Sequence, residues 1–210
     1  MSSLENLLGV TREKLRTWMD EAVEIDNYVE SIVGGRSLWQ LSRDKRPYLY
    51  AVVKAISPKL AVETGVGSGV STTFILSALQ EGELHSIDMG VRYGGEGEEK
   101  VGFVVPENLR GKWHLHLGRS SEVLVPLLKQ LEEIQFFLHD GEHSYQNVIF
   151  ELSTAWNFME RGAIIIDNYN FTDAPRDFAK KAGVQLIQLS STDGGLSLIL
   201  KDRGPPATST

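Results

Sequence analysis

Hydrophobic positions follow a helical spacing in the first part of the chain. Trp18 and Met19 follow Leu15 at the third and fourth positions, and this spacing recurs from residue 3 to about residue 57. A pair of glycines at 34–35 interrupts the stretch, as glycines do where helices end. The pattern predicts several amphipathic helices before any strand.

From Leu60 onward, short apolar runs alternate with amphipathic stretches. Seven of these runs have the length of buried strands: KLAVETG, ELHSID, WHLHLG, IQFFLHD, AIIID, VQLIQL and LSLILK. Strands that alternate with helices are typical of a parallel sheet covered on both faces, and the last two runs, joined by SSTDGG, predict a hairpin. We therefore predict an α/β fold with a seven-stranded, mostly parallel sheet and a carboxyl-terminal antiparallel hairpin.

The chain has 210 residues, which is the size of one domain. We predict that residues 46–203 form its core, that residues 1–45 form a helical cap of the same domain, and that the tail 204–210 is disordered. The cap could be a lid over the bound molecules or part of a homodimer interface, and the sequence favours neither. Residues 89–112 are rich in glycine and weakly periodic, which predicts a functional loop.

Composition and charge narrow the classes of partner. The formal net charge is -7 and no basic block is interleaved with aromatic residues, so most of the surface would repel a nucleic acid backbone. The chain has no cysteine, which excludes disulfides, thiolate metal sites and cysteine nucleophiles. No run has the length of a membrane span, and the amino terminus lacks the features of a signal peptide. We therefore expect a cytoplasmic protein that acts on a small molecule, without a nucleic acid or membrane partner.

A glycine-rich loop, VETGVGSGVST, joins the first predicted strand to a helix. Its glycines allow a tight turn and the close approach of a ligand, and the start of the helix offers unpaired N–H groups to an anion. The second predicted strand ends at Asp88, where a carboxylate could accept hydrogen bonds from ribose hydroxyls. The pattern predicts a nucleoside site. It differs from the G-x-G-x-x-G fingerprint of dinucleotide sites, although an NAD-dependent oxidoreductase stays as an alternative because it would share the sheet and the acidic residue.

The E-x-G-x-G-x-G pattern of this loop resembles the first motif of class I S-adenosylmethionine-dependent methyltransferases, which have a Rossmann-like sheet. The resemblance implies S-adenosylmethionine (SAM) as the cofactor. Ser71 would hold its carboxylate, Asp88 its ribose, and the segment LGRSS after the third strand would meet its adenine. The cofactor-binding residues implied in this way are Glu63, Gly65, Gly67, Gly69, Ser71, Asp88, Gly118, Ser120 and Asp140.

Polar side chains follow the fourth and fifth predicted strands. Asp140 comes directly after the fourth strand, and Asp167 and Asn168 come after the fifth. The carboxyl ends of neighbouring parallel strands meet at one edge of a sheet, so two carboxylates and an amide oxygen would converge there. Such ligands suit a hard divalent cation, above all Mg²⁺. Asp-Asn and Asp-Gly pairs are also common in turns, which is the structural alternative.

The metal set of Asp140, Asp167 and Asn168 resembles that of catechol-type O-methyltransferases. The motif DGEHSY is more similar to the macrocin-type, cephalosporin-hydroxylase-like O-methyltransferases, in which a histidine replaces the lysine of the catechol enzymes. The resemblance implies a metal-dependent O-methyltransferase whose acceptor carries vicinal oxygens, as in a catechol-like phenol or a sugar diol. His143, with an ordinary pKa of about 6.5, would be the catalytic base. A catalytically inactive nucleoside-binding module is the remaining alternative.

Three further histidines are predicted to be structural. His139 points to the opposite face of its strand from Asp140. His114 and His116 share one face of the third strand, away from the predicted site.

Overall fold

The computed structural model describes residues 3–36, 38, 40–90 and 100–201. Residues 91–99 of the predicted functional loop and the predicted tail 204–210 lie outside the described residues. Within the described ranges, no helix is long and apolar enough to cross a membrane.

Three helices precede the sheet, and they are α1 (Leu4–Leu8), α2 (Arg12–Val33) and α3 (Arg46–Ile56). The hydroxyl of Thr11 accepts a hydrogen bond from the N–H of Lys14 and so caps the start of α2. The same helix ends where Gly34 takes a left-handed conformation, so the predicted stop is confirmed. Helix α2 packs against α3, and their apolar faces extend the core on one side of the sheet.

Seven strands form a single sheet in the order β3-β2-β1-β4-β5-β7-β6. Strands β1 to β5 are parallel, whereas β7 is antiparallel to both β5 and β6. These findings confirm the predicted α/β class, the mostly parallel Rossmann-like sheet and the carboxyl-terminal antiparallel hairpin. The strands are β1 (Leu60–Thr64), β2 (Glu83–Asp88), β3 (Trp113–Leu117), β4 (Phe136–His139), β5 (Gly162–Asp167), β6 (Ile187–Ser190) and β7 (Leu196–Lys201).

Helices cover both faces of the sheet, which explains why the central strands are continuous apolar runs. Phe136 and Phe137 of β4 are both fully buried, and they belong to separate core layers on opposite faces. The remaining helices are α4 (Val70–Ala78), α5 (Ser120–Leu131), α6 (Tyr145–Asn157) and α7 (Ala174–Ala182), and residues Glu107–Lys112 form a 3₁₀ turn.

The carboxyl ends of β1, β4 and β5 meet at one edge of the sheet. Thr64 pairs with His139, and His139 pairs with Ile166, so the residues that follow these positions are neighbours. Gly65 has a positive φ of 84°, and a Cβ atom there would overlap the carbonyl oxygen of Asp140. Only glycine allows the two chain segments to approach so closely. This edge carries most of the residues that the sequence singled out.

Candidate active site

A cavity of about 690 Å³ opens at the carboxyl edge of the sheet. Its volume lies in the range of small-molecule sites. Most of the predicted site residues line it, although they are widely separated along the chain: Gly65, Gly67, Ser71, Asp88, Gly118, Ser120, Asp140, His143, Asp167 and Asn168. Glu63 and Gly69 are not part of its lining.

Asp88 holds the glycine-rich loop in place. One of its carboxylate oxygens accepts hydrogen bonds from the backbone N–H groups of Val66 at 2.9 Å and Gly67 at 3.1 Å, and the other accepts from Gly90 at 2.8 Å. A carboxylate can accept about four hydrogen bonds. The predicted ribose-binding residue therefore organises the loop and still has capacity for a ligand hydroxyl.

Glu63 lies beneath the glycine-rich loop rather than in the cavity. Its side chain is fully buried, and one carboxylate oxygen accepts hydrogen bonds from Thr72 and Ser86. The other oxygen has no hydrogen-bond partner among the described residues. Burial raises the pKa of Glu63 to about 8. In this position, Glu63 supports the start of α4 from below as a largely neutral acid.

The raised pKa of Glu63 predicts a dependence of stability on pH. A carboxyl group whose pKa rises on folding stabilises the fold fully below about pH 4.5, and this contribution is lost as the pH rises toward about 8. Glu63→Gln removes the titration and keeps an oxygen for Thr72 and Ser86. The unfolding free energy of the variant minus that of the wild type should therefore increase by roughly 2 kcal/mol between about pH 6 and pH 8. Urea denaturation measures this difference, and a constant difference over that range would contradict the prediction.

A buried lysine, Lys45, accompanies the two aspartates of the cavity. Its ammonium donates hydrogen bonds to Asp167 Oδ1 at 2.7 Å and to the carbonyl oxygen of Asp193, and its side chain has no exposed surface. Burial raises the pKa of both Asp140 and Asp167, and the charge of Asp167 raises that of Asp140 further. The ammonium of Lys45 acts in the opposite direction on both carboxyl groups. Lys45 therefore supplies part of the positive charge that this acidic pair needs.

The residues at this edge fit a divalent cation. One ligand atom each from Asp140, His143 and Asp167 lies within 4.8 Å of the other two. Carboxylates suit Mg²⁺ and Mn²⁺, and an imidazole is also accepted by transition metals. Asn168 stays a predicted ligand; its amide nitrogen lies 3.1 Å from His143 Nε2, and its amide oxygen lies near Gly194. The two predicted aspartates thus lie close together, with the imidazole of His143 beside them.

A chain of hydrogen bonds runs from His143 into the core. His143 Nδ1 lies 3.2 Å from His139 Nε2, and His139 Nδ1 lies 2.6 Å from a carboxylate oxygen of Glu151. Burial by itself would raise the pKa of Glu151, but the hydrogen bond and charge of His139 hold it below its ordinary range. His139 is buried, as predicted, and it is also a link in this chain.

The chain of hydrogen bonds determines which nitrogen of His143 can accept a proton. When Glu151 is ionised and His139 is neutral, each imidazole donates from Nδ1 and accepts at Nε2, so the lone pair of His143 lies at Nε2, beside the amide nitrogen of Asn168. Burial lowers the pKa of His143 to about 4. The folded protein therefore keeps His143 neutral well below the pH at which an ordinary histidine would be protonated.

Comparison with known families adds an independent observation. A family model described as a methyltransferase domain matches residues 62–169, which is just over half of the chain. The matched segment begins in β1 and ends directly after Asn168, so it contains both the glycine-rich loop and the acidic pair. No curated protein matches the sequence.

Solved structures show the same fold. An O-methyltransferase from Bacillus cereus in complex with SAH (S-adenosylhomocysteine) is 17% identical, with 94% of this chain and 95% of that chain covered and a TM-score of 0.58. The O-methyltransferase TomG from Streptomyces achromogenes, involved in tomaymycin synthesis and solved with SAM, is 17% identical over 89% of this chain and 97% of that chain, with a TM-score of 0.63. A methyltransferase from Geobacter sulfurreducens is 14% identical, with 85% of this chain and 89% of that chain covered and a TM-score of 0.64.

Proposed function

Since this chain belongs to the family of methyltransferase domains, we propose that it transfers a methyl group from SAM to a hydroxyl oxygen of a small molecule in a metal-dependent reaction. The observation that carries the proposal is that one cavity is lined both by the glycine-rich loop with Asp88 and by Asp140, His143 and Asp167. The similar folds of O-methyltransferases solved with SAM or SAH support the cofactor and the acceptor atom.

The cofactor half of the cavity offers a contact for each part of SAM, which would supply the reactive methyl group on its sulfonium. Gly65 and Gly67 leave room beside the backbone for the methionine portion. Ser71 lies in the first turn of α4, where unpaired N–H groups favour a carboxylate. Asp88 can accept a hydrogen bond from a ribose hydroxyl. Gly118 and Ser120, at the start of α5, line the part of the cavity that would receive the adenine.

The acceptor half combines negative charge with a neutral base. A divalent cation at Asp140 and Asp167 would lower the pKa of an acceptor hydroxyl and would favour substrates with two adjacent oxygens, either catechol-like phenols or sugar diols. His143 Nε2 would accept the hydroxyl proton. The positive charge formed on His143 would be stabilised through His139 by the carboxylate of Glu151.

Calorimetry with SAM and with NAD tests the cofactor. We expect SAM to bind and NAD to give no heat, because the loop spacing differs from the dinucleotide fingerprint. Release of SAH in the presence of Mg²⁺, measured over a panel of catechols and sugar diols, then tests the reaction and separates the two acceptor classes. Binding of NAD in place of SAM would contradict the proposed function.

We expect His143→Gln to slow methyl transfer by about a hundredfold, the lower range of what a general base contributes. Because the pKa of His143 is about 4, its protonation should not slow the wild-type enzyme until the pH approaches that value. Rates of SAH release at a series of pH values measure both effects. Tyr145→Phe is the control, since the Tyr145 hydroxyl is exposed and bonds to Asp177 outside the cavity. A wild-type rate in His143→Gln at every pH would exclude His143 as the base.

A further inference from the structure

A second group of histidines lies on strands β2 and β3, outside the cavity. His85 and His114 are opposite one another in the parallel pair. Glu83 precedes His85 by two residues and His116 follows His114 by two, so all four side chains lie on one face of the sheet. We call these four residues the β2–β3 histidine cluster. None of the four lines the cavity described above.

Three side chains of the cluster approach a common point. His114 Nε2 lies 3.2 Å from Glu83 Oε2, and His85 Nε2 lies 3.8 Å from the same oxygen. One ligand atom from each residue lies within 4.8 Å of the other two. Ligand atoms bound to a tetrahedral zinc ion at about 2.0–2.1 Å are roughly 3.3 Å apart. Small rotations of the half-exposed Glu83 and His114 side chains would therefore bring all three atoms onto one ion.

The buried histidine of the cluster is oriented as a metal ligand. His85 is only 7% exposed, and its Nε2 has no hydrogen-bond partner in the part of the chain that the structure describes. A buried polar atom without a partner is costly. Its other nitrogen, Nδ1, lies 3.0 Å from His116 Nε2. When the Nδ1–H of His85 donates a hydrogen bond to His116 Nε2, Nε2 of His85 presents a lone pair toward Glu83, as in metal sites where a second residue fixes the ligating histidine.

We propose that the β2–β3 histidine cluster binds a transition metal ion, foremost Zn²⁺, through Glu83, His85 and His114, with His116 orienting His85. Two imidazoles and one carboxylate are ligands that zinc takes, with the fourth position left for water. Mg²⁺ prefers oxygen ligands and would not compete at this cluster. Strand β3 lies at the edge of the sheet, beside β2. An ion bound across these two strands would fasten that edge.

Calorimetric titration with ZnCl₂ tests the proposal on the full chain without a polyhistidine tag and in excess Mg²⁺. We expect one zinc ion to bind the cluster, and His114→Gln and Glu83→Gln each to weaken this binding at least tenfold. Both side chains are about half exposed, so both variants should fold. Asp140→Asn is the matched control, because it changes the cavity and leaves the cluster intact.

Thermal unfolding provides a second measurement. Zinc at about a hundred times its Kd should raise the melting temperature of the wild type by roughly 5 to 10 °C. We expect no such rise in His114→Gln, and we expect its SAM-dependent activity to be unchanged. The proposal is overturned if the wild type binds no zinc, if His114→Gln and Glu83→Gln both bind it as tightly as wild type, or if zinc binding is lost in Asp140→Asn.

Discussion

Asp140→Asn is expected to lower the rate of methyl transfer about a thousandfold, which corresponds to the several kcal/mol that a bound cation contributes to a reaction of this kind. The same substitution should leave the protein at least as stable as the wild type. Burial and the nearby charge of Asp167 raise the pKa of Asp140, so its ionised form is unfavourable in the folded state. A neutral amide of the same shape removes this repulsion together with the ligand charge.

Rates of SAH release, the affinity for SAM and urea denaturation together check this prediction. Asp193→Asn is the matched control, because Asp193 lines the same cavity and is exposed. Its backbone is in the left-handed conformation, which asparagine also adopts. We expect the control to keep the wild-type rate. If Asp140→Asn turned over within tenfold of the wild type, the metal-dependent reaction would be wrong.

Lys45→Met is expected to destabilise the protein by roughly 3 to 5 kcal/mol at neutral pH, the cost of leaving one partner of a buried ion pair alone. The Lys45 side chain has no exposed surface and that of Asp167 is only 5% exposed, so water only partly replaces the lost ammonium. Methionine has a similar length and fills the space. The loss therefore reports on charge rather than on packing.

Three measurements by urea denaturation separate this effect from others. The double variant Lys45→Met with Asp167→Asn should recover most of the lost stability, because it removes the orphaned carboxylate as well. Mg²⁺ should stabilise Lys45→Met more than the wild type if a cation at Asp140 and Asp167 can supply the missing charge. Lys54→Met removes a longer ion pair, at 3.5 Å, with the 41% exposed side chain of Glu21, so we expect it to cost at most about 1 kcal/mol. Equal losses in Lys45→Met and Lys54→Met would refute the importance of the buried pair.

The sheet and its strand ends could be predicted from the sequence because each signal is local. A strand buried on both faces must be apolar throughout, as β4 and β5 are. The residue after such a strand lies at the carboxyl edge wherever the strand lies in the sheet. For that reason Asp140 and Asp167 could be placed in one cavity from their positions alone.

Lys45 could not be predicted, because its partner Asp167 is 122 positions away. It stands in the charged segment SRDKR, which has the composition of a solvated turn. The position of Glu63 beneath the loop likewise depends on Thr72 and Ser86, which come from a helix and a strand that only the fold brings together. The backbone N–H of Asn168 likewise bonds to the carbonyl oxygen of Gly195, in a connection that only the fold brings near.

The contact between Lys45 and Asp167 also limits how this protein could be recombined with its relatives. The family match begins at residue 62, yet the cavity is also lined by Leu38, Gln40 and Leu41. From the same amino-terminal segment, Lys45 bonds to Asp167 in the cavity. A chimera that exchanged the amino-terminal helices would therefore rebuild one wall of the cavity and also remove the counter-charge of Asp167. Because the predicted boundary between cap and core falls directly after Lys45, a functional graft must carry residue 45 with the core or restore a lysine there.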